Sequence, residues 1–102
     1  MADPVVVSMM EFEGDPHEIE QKMGGISEVA GRKAAEYGAI SSTVLKTENG
    51  VMVVNMWDSE EGRHRMGDDP EIRQALQEAG MPPPSAKGYE VLSHRTPEQL
   101  TA

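Results

Sequence analysis

Residues 40–57, ISSTVLKTENGVMVVNMW, carry the clearest structural signal in the chain. Two runs rich in β-branched and other apolar residues flank Asn49 and Gly50, and Asn-Gly between such runs is a strong β-hairpin signal. A type I′ turn at these two residues would place Glu48 opposite Val51, with further pairs following outward. The sequence therefore predicts two antiparallel strands in the middle of the chain.

Side-chain alternation divides this hairpin into two faces, because successive residues of a strand point to opposite sides of the sheet. One face is almost entirely apolar, and we predict that helices cover it. Its residues are Thr43, Leu45, Met52, Val54 and Met56. The other face mixes polar and apolar groups, and we predict that it stays uncovered within one chain. Its residues are Ser42, Val44, Lys46, Val53, Asn55 and Trp57.

The first third of the chain predicts a strand followed by a helix. Residues 5–13 are largely apolar on both faces, which is typical of a central strand. Asp15 and Pro16 predict the helix start, because aspartate caps free N–H groups and proline suits the first helical position. Gly24 and Gly25 predict a break within this helix, because glycine is a poor helix former.

The second half of the chain repeats the helix-then-strand pattern. Either Asp58 or Ser59 predicts the cap of the next helix. Asp69 and Pro70 predict a second helix start for the same reason as Asp15 and Pro16: aspartate caps free N–H groups and proline suits the first helical position. A last strand is predicted over residues 86–95.

The predicted order is β-α-β-β-α-β, which is the ferredoxin-like α+β arrangement with a four-stranded antiparallel sheet. Its first and third strands occupy the centre, and they are the most apolar strands here. We expect a single domain over residues 1–96 and a flexible tail over residues 97–102. One uncovered sheet face would remain, and pairing two such sheets would bury it.

Composition excludes several classes of function. The chain has 102 residues, the size of one domain, and it has no cysteine, which excludes disulfide scaffolds and thiol catalysis. Its net charge of −9 repels phosphate backbones, so we expect neither nucleic acid nor membrane as a partner. No targeting or membrane-spanning segment is visible, and we therefore expect a cytoplasmic location.

The predicted element order, with a third strand that ends in Trp57 and an acidic turn into a helix, resembles the dimeric α+β barrel superfamily. Within it, the chain is most similar to the small antibiotic-biosynthesis-monooxygenase-like proteins. The resemblance spans roughly residues 5–95, and one fold of this kind hosts many functions. It implies a homodimer. It also implies cofactor-independent oxidation of hydrophobic aromatic small molecules, with no cofactor and no bound metal expected.

Four residues are candidates for ligand binding, and none is assigned a catalytic role. Trp57 is either an aromatic wall of a ligand cavity or a hydrophobic plug at a dimer interface. Asn55 can bind a carbonyl or phenol-like oxygen, or it is an interface amide whose hydrogen bonds are already made. Ser42 offers a hydroxyl on the same face. His64 lies either at a pocket mouth or on a polar helix surface, and the histidines have no metal-ligand spacing.

Two functions follow from these candidates, and the sequence leaves open whether the protein is an enzyme. The first is a monooxygenase-like protein that acts on a hydrophobic aromatic molecule. The second is a dimeric small-molecule-binding or structural module without catalysis. An open pocket beside Trp57 would favour the first, and a packed, dry interface in which Asn55 bonds to the backbone would favour the second.

Overall fold

The computed structural model describes residues 3–100 and has the predicted α+β architecture. Its strands are β1 Val6–Glu13, β2 Ala39–Lys46, β3 Gly50–Trp57 and β4 Ser85–Glu90. They form one antiparallel sheet in the order β2-β3-β1-β4. The first and third strands are central, as the ferredoxin-like arrangement requires.

Each of the two crossovers contains a pair of helices rather than one. The helices are α1 Pro16–Gly24, α2 Ser27–Glu36, α3 Glu60–Asp68, α4 Pro70–Glu78 and a short C-terminal α5 Pro97–Leu100. The break between α1 and α2 lies at the predicted glycine pair, Gly24 and Gly25. None of the helices within residues 3–100 is long and apolar enough to cross a membrane. The end of the predicted tail, residues 101–102, lies outside the described residues.

The helix starts follow the predicted capping chemistry. The Asp15 carboxylate accepts a hydrogen bond from the His17 backbone N–H at 2.8 Å. Asp69 does the same at α4, where the Glu71 N–H donates at 2.8 Å. At α3 the cap is Ser59, and Asp58 is not part of it. Local sequence therefore sets these three boundaries, because each cap satisfies N–H groups that lack a partner within the helix.

The helices cover the sheet face opposite to the predicted one. Phe12, Val51 and Val53 pack against Ile19 of α1, and these four residues form the core cluster. Trp57 shares this face and is only 2% exposed. The prediction that the Trp57 face stays uncovered is therefore wrong, and so is the placing of Trp57 at an interface made by an uncovered face. Alternation identified the two faces correctly, but both are apolar enough to accept a helix layer.

The uncovered side of the sheet, called the open face below, is the one predicted to be covered. Its apolar residues are Val7, Met9, Leu45, Met52, Val54, Met56 and Tyr89, and the same side also carries Glu11, Ser41, Thr43, Ser85 and Lys87. Leu45 is 43% exposed and Tyr89 is 49% exposed. The five remaining apolar residues of the open face are half-buried. This face therefore has an apolar centre bordered by polar and charged residues, and it carries no helix layer.

The hairpin is present, but its turn and register differ from the prediction. Lys46 pairs with Val51, two residues away from the predicted pairing with Val53. A shift of two residues leaves every side chain on its own face. No residue of the Glu48–Asn49–Gly50 segment has a positive φ, so the predicted type I′ turn does not form.

Glycine is needed at position 50 because the neighbouring strand lies very close, and not because of the turn. A Cβ at this position would collide with the Phe12 carbonyl oxygen of β1. Gly50 is buried beside that strand, and only glycine leaves room for the neighbouring backbone.

The last strand is shorter than predicted, ending at Glu90 rather than at residue 95. β4 pairs only with β1, which begins at Val6 opposite Glu90. One further hydrogen bond joins the Val91 N–H to the Val5 carbonyl at 2.8 Å. Beyond that point β1 offers no partner backbone, and a strand cannot continue without one.

Candidate functional site

Three of the four candidate residues lie on the helix-facing side of the sheet. Ser42 of β2 faces Asn55 of β3, and Asn55 also faces Ser8 of β1. Residues opposite each other in a sheet point to the same side, so these three polar side chains form a row across three strands. Ser8, Asn55 and Ser42 are called the polar row below. Trp57 lies two residues from Asn55 on β3 and therefore on the same side.

The Trp57 side chain is held by a hydrogen bond to the polar row. Its indole N–H donates to Ser8 Oγ at 2.9 Å. Ser8 is only 7% exposed, so both partners are buried. A buried indole N–H needs an acceptor, and Ser8 provides it. The bond fixes the ring against β1.

Asn55 is a polar-row residue whose side chain has free hydrogen-bonding capacity. It is half-buried. Its amide group makes no hydrogen bond to any side chain or backbone group within residues 3–100. The amide carries two N–H donors and one carbonyl acceptor. Asn55 can therefore donate to, or accept from, a water molecule or a ligand that reaches its amide.

Ser42 lies at the outer end of the polar row, on edge strand β2. It is exposed, as are its neighbours Val44 and Lys46 on the helix-facing side of that strand. The helix layer thus covers the centre of the sheet and leaves this edge open to solvent. A ligand could reach Asn55 from the Ser42 end of the row.

His64 lies apart from the polar row. Its side chain is 63% exposed, and its Nε2 lies 2.9 Å from Glu60 Oε1. Arg63 Nη2 donates to the same carboxylate oxygen at 2.7 Å. This bond from Arg63 is the main reason that the pKa of Glu60 lies below its ordinary value of 4.5, and His64 adds to the effect. His64 is therefore part of a charged cluster on α3.

Arg63 is a residue that the sequence analysis did not single out. Its guanidinium lies against Gly88 of β4, and Gly88 faces Ser8 in the sheet. A glycine inside a strand often marks a close approach of another group. Gly88 within the sequence SAKGYE was therefore the signal that could have located this contact.

A separate polar cluster joins the end of α2 to the start of α4. The Tyr37 hydroxyl donates to Asp69 Oδ2 at 2.5 Å, and Lys33 Nζ lies 3.2 Å from the same oxygen. The hydrogen bond from Tyr37 is the largest cause that lowers the pKa of Asp69 from 3.8 to about 2. The same bond raises the pKa of Tyr37 above its ordinary value of 10.0. This cluster holds the two crossovers together.

Metal binding finds no support in the side-chain arrangement. Between residues 3 and 100, no three histidine, aspartate or glutamate side chains lie where they could hold one metal ion.

Neither a protein-family model nor a curated protein matches the sequence. Solved structures do match over most of the chain. The monooxygenase ActVA-Orf6 of Streptomyces coelicolor, solved with the ligand nanaomycin D, is 22% identical with a TM-score of 0.67, and the match covers 92% of this chain and 93% of that one. The cofactor-independent oxygenase SnoaB of Streptomyces nogalater is 17% identical with a TM-score of 0.60, covering 94% and 98%.

A dimeric ferredoxin-like protein from an uncultured marine organism is 15% identical with a TM-score of 0.64, covering 92% of this chain and 93% of that one. Identities at this level establish a common fold and leave the activity open. The chain therefore has the ferredoxin-like α+β fold of these monooxygenases and dimeric proteins, which confirms the predicted resemblance in architecture.

Proposed function

We propose that this protein binds a hydrophobic aromatic small molecule between its helices and its sheet, and oxidises it without a cofactor. The observation that carries the proposal is the half-buried Asn55, whose amide has no hydrogen-bond partner within residues 3–100. The polar atoms of this amide are not fully buried, so they take their hydrogen-bond partners from outside the chain. Water or a ligand oxygen can fill this role, and the fold favours a ligand.

The chemistry requires an electron-rich substrate, because the polar row offers hydrogen bonds but no redox group. Asn55 donates an N–H to a phenol, enolate or carbonyl oxygen of the aromatic molecule and so orients it. In the reaction, a phenol becomes a quinone: the hydroxyl loses its hydrogen, and the ring carbon opposite the hydroxyl loses its hydrogen as well. One atom of O₂ becomes the new carbonyl oxygen and the other leaves as water with those two hydrogens. The substrate thus supplies the electrons.

The proposal includes a homodimer formed through the open face. This face is apolar, and Leu45 and Tyr89 on it are each more than 40% exposed in the single chain. Monomeric proteins seldom leave an extended apolar sheet face in water. Two such sheets packed face to face would bury it and make the core of a barrel. A dimeric neighbour with this fold supports the arrangement.

A second function, a dimeric module without catalysis, has its own observation in favour. Trp57 is 2% exposed and its N–H already bonds to Ser8, so this ring is packed rather than lining an open space. On this alternative Asn55 binds a water molecule or a ligand that is not transformed.

The test combines binding and oxygen consumption. Trp57 is the chain's only tryptophan, so its fluorescence reports on the polar row. A panel of quinol-like polycyclic aromatics should quench this fluorescence, and at least one member should be consumed together with an equal amount of O₂. Asn55→Ala should weaken the binding about tenfold, the effect of losing one hydrogen bond of about 1.4 kcal/mol.

The matched control is Asn49→Ala, which removes an exposed loop amide and should leave binding unchanged. Quenching without O₂ uptake would favour the non-catalytic module. Neither quenching nor O₂ uptake with any member of the panel would refute both the ligand site and the oxidation.

A further inference from the structure

The outer edge of strand β2 carries backbone hydrogen-bonding groups that its own sheet does not use. β2 is the first strand in the order β2-β3-β1-β4, so within residues 3–100 it pairs only with β3. The Thr47 N–H donates to the Gly50 carbonyl at 3.0 Å, towards β3. Because the backbone groups of successive residues alternate in direction along a strand, those of Ser42, Val44 and Lys46 point away from the sheet. This row of outward groups is called the free edge below.

The free edge is open to solvent. Every residue from Ile40 to Lys46 is exposed, and Val44 is 49% exposed. Proteins usually protect such an edge with proline, charged side chains or a bulge, because an unprotected edge pairs with other chains. β2 contains no proline, and its single charged residue is the last one. Its register irregularity lies at its start, between Ala39 and Ser41, and leaves the remainder regular.

The opposite edge of the sheet is protected in the usual ways. β4 is only six residues long and contains Lys87 and Glu90. Three consecutive prolines, residues 82–84, lead into it, and proline cannot donate a backbone hydrogen bond to a neighbouring strand. Of the two edges, β2 is therefore the one that keeps a long, regular and nearly uncharged ladder. Such an edge fits a partner that is itself an extended strand.

A second copy of this chain fits the free edge because β2 is complementary to itself. An antiparallel pair with its two-fold axis at Val44 places Val44 opposite the partner's Val44, and Ser42 opposite the partner's Lys46. These are the residues whose backbone groups point outward, so each pair can exchange both of its hydrogen bonds. This register uses residues 42–46 and avoids the irregularity at the start of the strand.

Charge favours the same partner. The chain has a net charge of −9, so two copies repel each other over most of their surfaces. β2, by contrast, contains no acidic residue between Ala39 and Lys46. In the register centred on Val44, the two Lys46 residues lie about 14 Å apart, which exceeds the Debye length of about 8 Å at physiological salt. The free edge is therefore a place where two copies can meet without facing like charges.

We propose that the free edge of β2 is a self-association site, at which β2 of a second copy continues the sheet. One strand pair buries less than the about 1,000 Å² that a stable interface needs, so the association is weak and appears well above micromolar concentration. The site uses backbone groups at the rim of the sheet, whereas the open face would pair through side chains. The inference therefore depends neither on the ligand site nor on the open-face dimer.

Sedimentation velocity between about 10 µM and about 1 mM protein tests the association. The mass should at least double across this range, starting from whatever mass the protein has at the low end. Added salt should strengthen the increase, because salt screens the repulsion between two acidic copies. Val44→Pro should keep the mass at low concentration and abolish the increase. The Val44 N–H points outward, so proline there removes no hydrogen bond of the sheet.

The matched control is Ala86→Pro on the other edge of the sheet. The Val91 N–H donates to the Val5 carbonyl, so by alternation the Ala86 N–H of β4 points away from β1. This variant should leave the increase in mass unchanged. If circular dichroism shows that Val44→Pro does not fold, Val44→Lys takes its place. It should also abolish the increase, because it would set two lysines directly opposite each other.

Amide hydrogen exchange, measured residue by residue by NMR, reports on the free edge itself. The N–H groups of Ser42, Val44 and Lys46 should exchange at least about threefold more slowly at the high end of the concentration range, because pairing covers them. The N–H groups of Thr43 and Leu45 point towards β3 and should be protected at both ends. This alternating pattern is specific to pairing along the edge.

Three results would overturn the inference. The first is a constant mass up to about 1 mM. The second is an equal effect of Val44→Pro and Ala86→Pro. The third is an increase in mass without slower exchange along the free edge, since the copies would then meet at another surface. None of these results bears on ligand binding, on O₂ uptake or on the mass at micromolar concentration, which test the proposed function separately.

Discussion

The Trp57 indole N–H donates a hydrogen bond to Ser8 Oγ at 2.9 Å, joining β3 to β1 on the buried side of the sheet. The two residues are not direct partners in the register, since Trp57 faces Val6 and Ser8 faces Asn55. The bond therefore runs diagonally between the two central strands. It links the largest buried side chain of β3 to the row of polar groups in which we place the ligand.

Trp57→Phe should destabilise the protein by about 1–2 kcal/mol, because it removes the hydrogen bond and a small part of the packed volume. Trp57→Ala should cost about 3–5 kcal/mol. Ser8→Ala should cost about 1–3 kcal/mol, since it leaves a buried indole N–H without an acceptor. Urea unfolding followed by circular dichroism measures all three. Additive losses in Ser8→Ala/Trp57→Phe would show that the bond contributes nothing.

Leu45→Lys should convert the proposed homodimer into a folded monomer, because it places a charge among the apolar side chains of the open face. Val44→Lys is the matched control, since Val44 is the next residue on β2, is 49% exposed and points to the other side of the sheet. Light scattering behind size exclusion measures the mass. A monomeric wild-type protein at micromolar concentration, or equal dissociation by both variants, would contradict the open-face dimer.

Acid should weaken the contribution of Asp69 to stability. The folded pKa of Asp69 is lowered from 3.8 to about 2, so its contribution is present above about pH 4 and is lost as the pH falls towards 2. Asp69→Asn should therefore destabilise the protein at neutral pH, and the difference from wild type should shrink between pH 4 and pH 2. Urea unfolding at several pH values measures this.

The matched control for that series is Asp15→Asn, which alters the corresponding cap of α1 without a neighbouring tyrosine hydroxyl or lysine. Comparing the two variants at neutral pH separates the loss of a helix cap from the loss of the contacts with Tyr37 and Lys33. A pH-independent difference for Asp69→Asn would mean that the Tyr37 hydrogen bond does not stabilise the charged carboxylate.

Two glycine substitutions should have opposite effects. Gly50→Ala should destabilise the protein by about 1–3 kcal/mol, because the new Cβ collides with the Phe12 carbonyl oxygen. Gly31→Ala, within α2 and with open space around its Cβ position, should stabilise it by about 1 kcal/mol through helix propensity. Thermal unfolding compares the two. A neutral Gly50→Ala would show that β1 and β3 can separate at this point without loss.

Helix boundaries could be predicted from the sequence because the interactions that set them are local. Asp15 and Asp69 each cap backbone N–H groups two and three residues ahead, and proline follows each of them. The glycine pair between α1 and α2 breaks the helix through its own poor propensity. None of these features needs a distant part of the chain.

The candidate site was predictable in part for the same reason. Alternation along β3 places Asn55 and Trp57 on one side of the strand, whatever covers that side. The Ser8–Trp57 bond joins residues 49 positions apart, and the contact of Arg63 with Gly88 joins a helix to the far edge strand. Such contacts depend on how the elements pack. A glycine inside a strand can indicate that another group approaches it, but no local pattern identifies that group.

Alternation along the strands assigned each residue of the hairpin to one of two faces, and those two groups are the observed ones. The choice of which group meets the helices came from packing alone. Both faces carry enough apolar side chains to accept a helix layer. Alternation shows which residues share a face, but it does not show which of the two faces the helices cover. The crossovers can lie on only one side of the sheet, and their position there buried Trp57 and left Leu45 in the open.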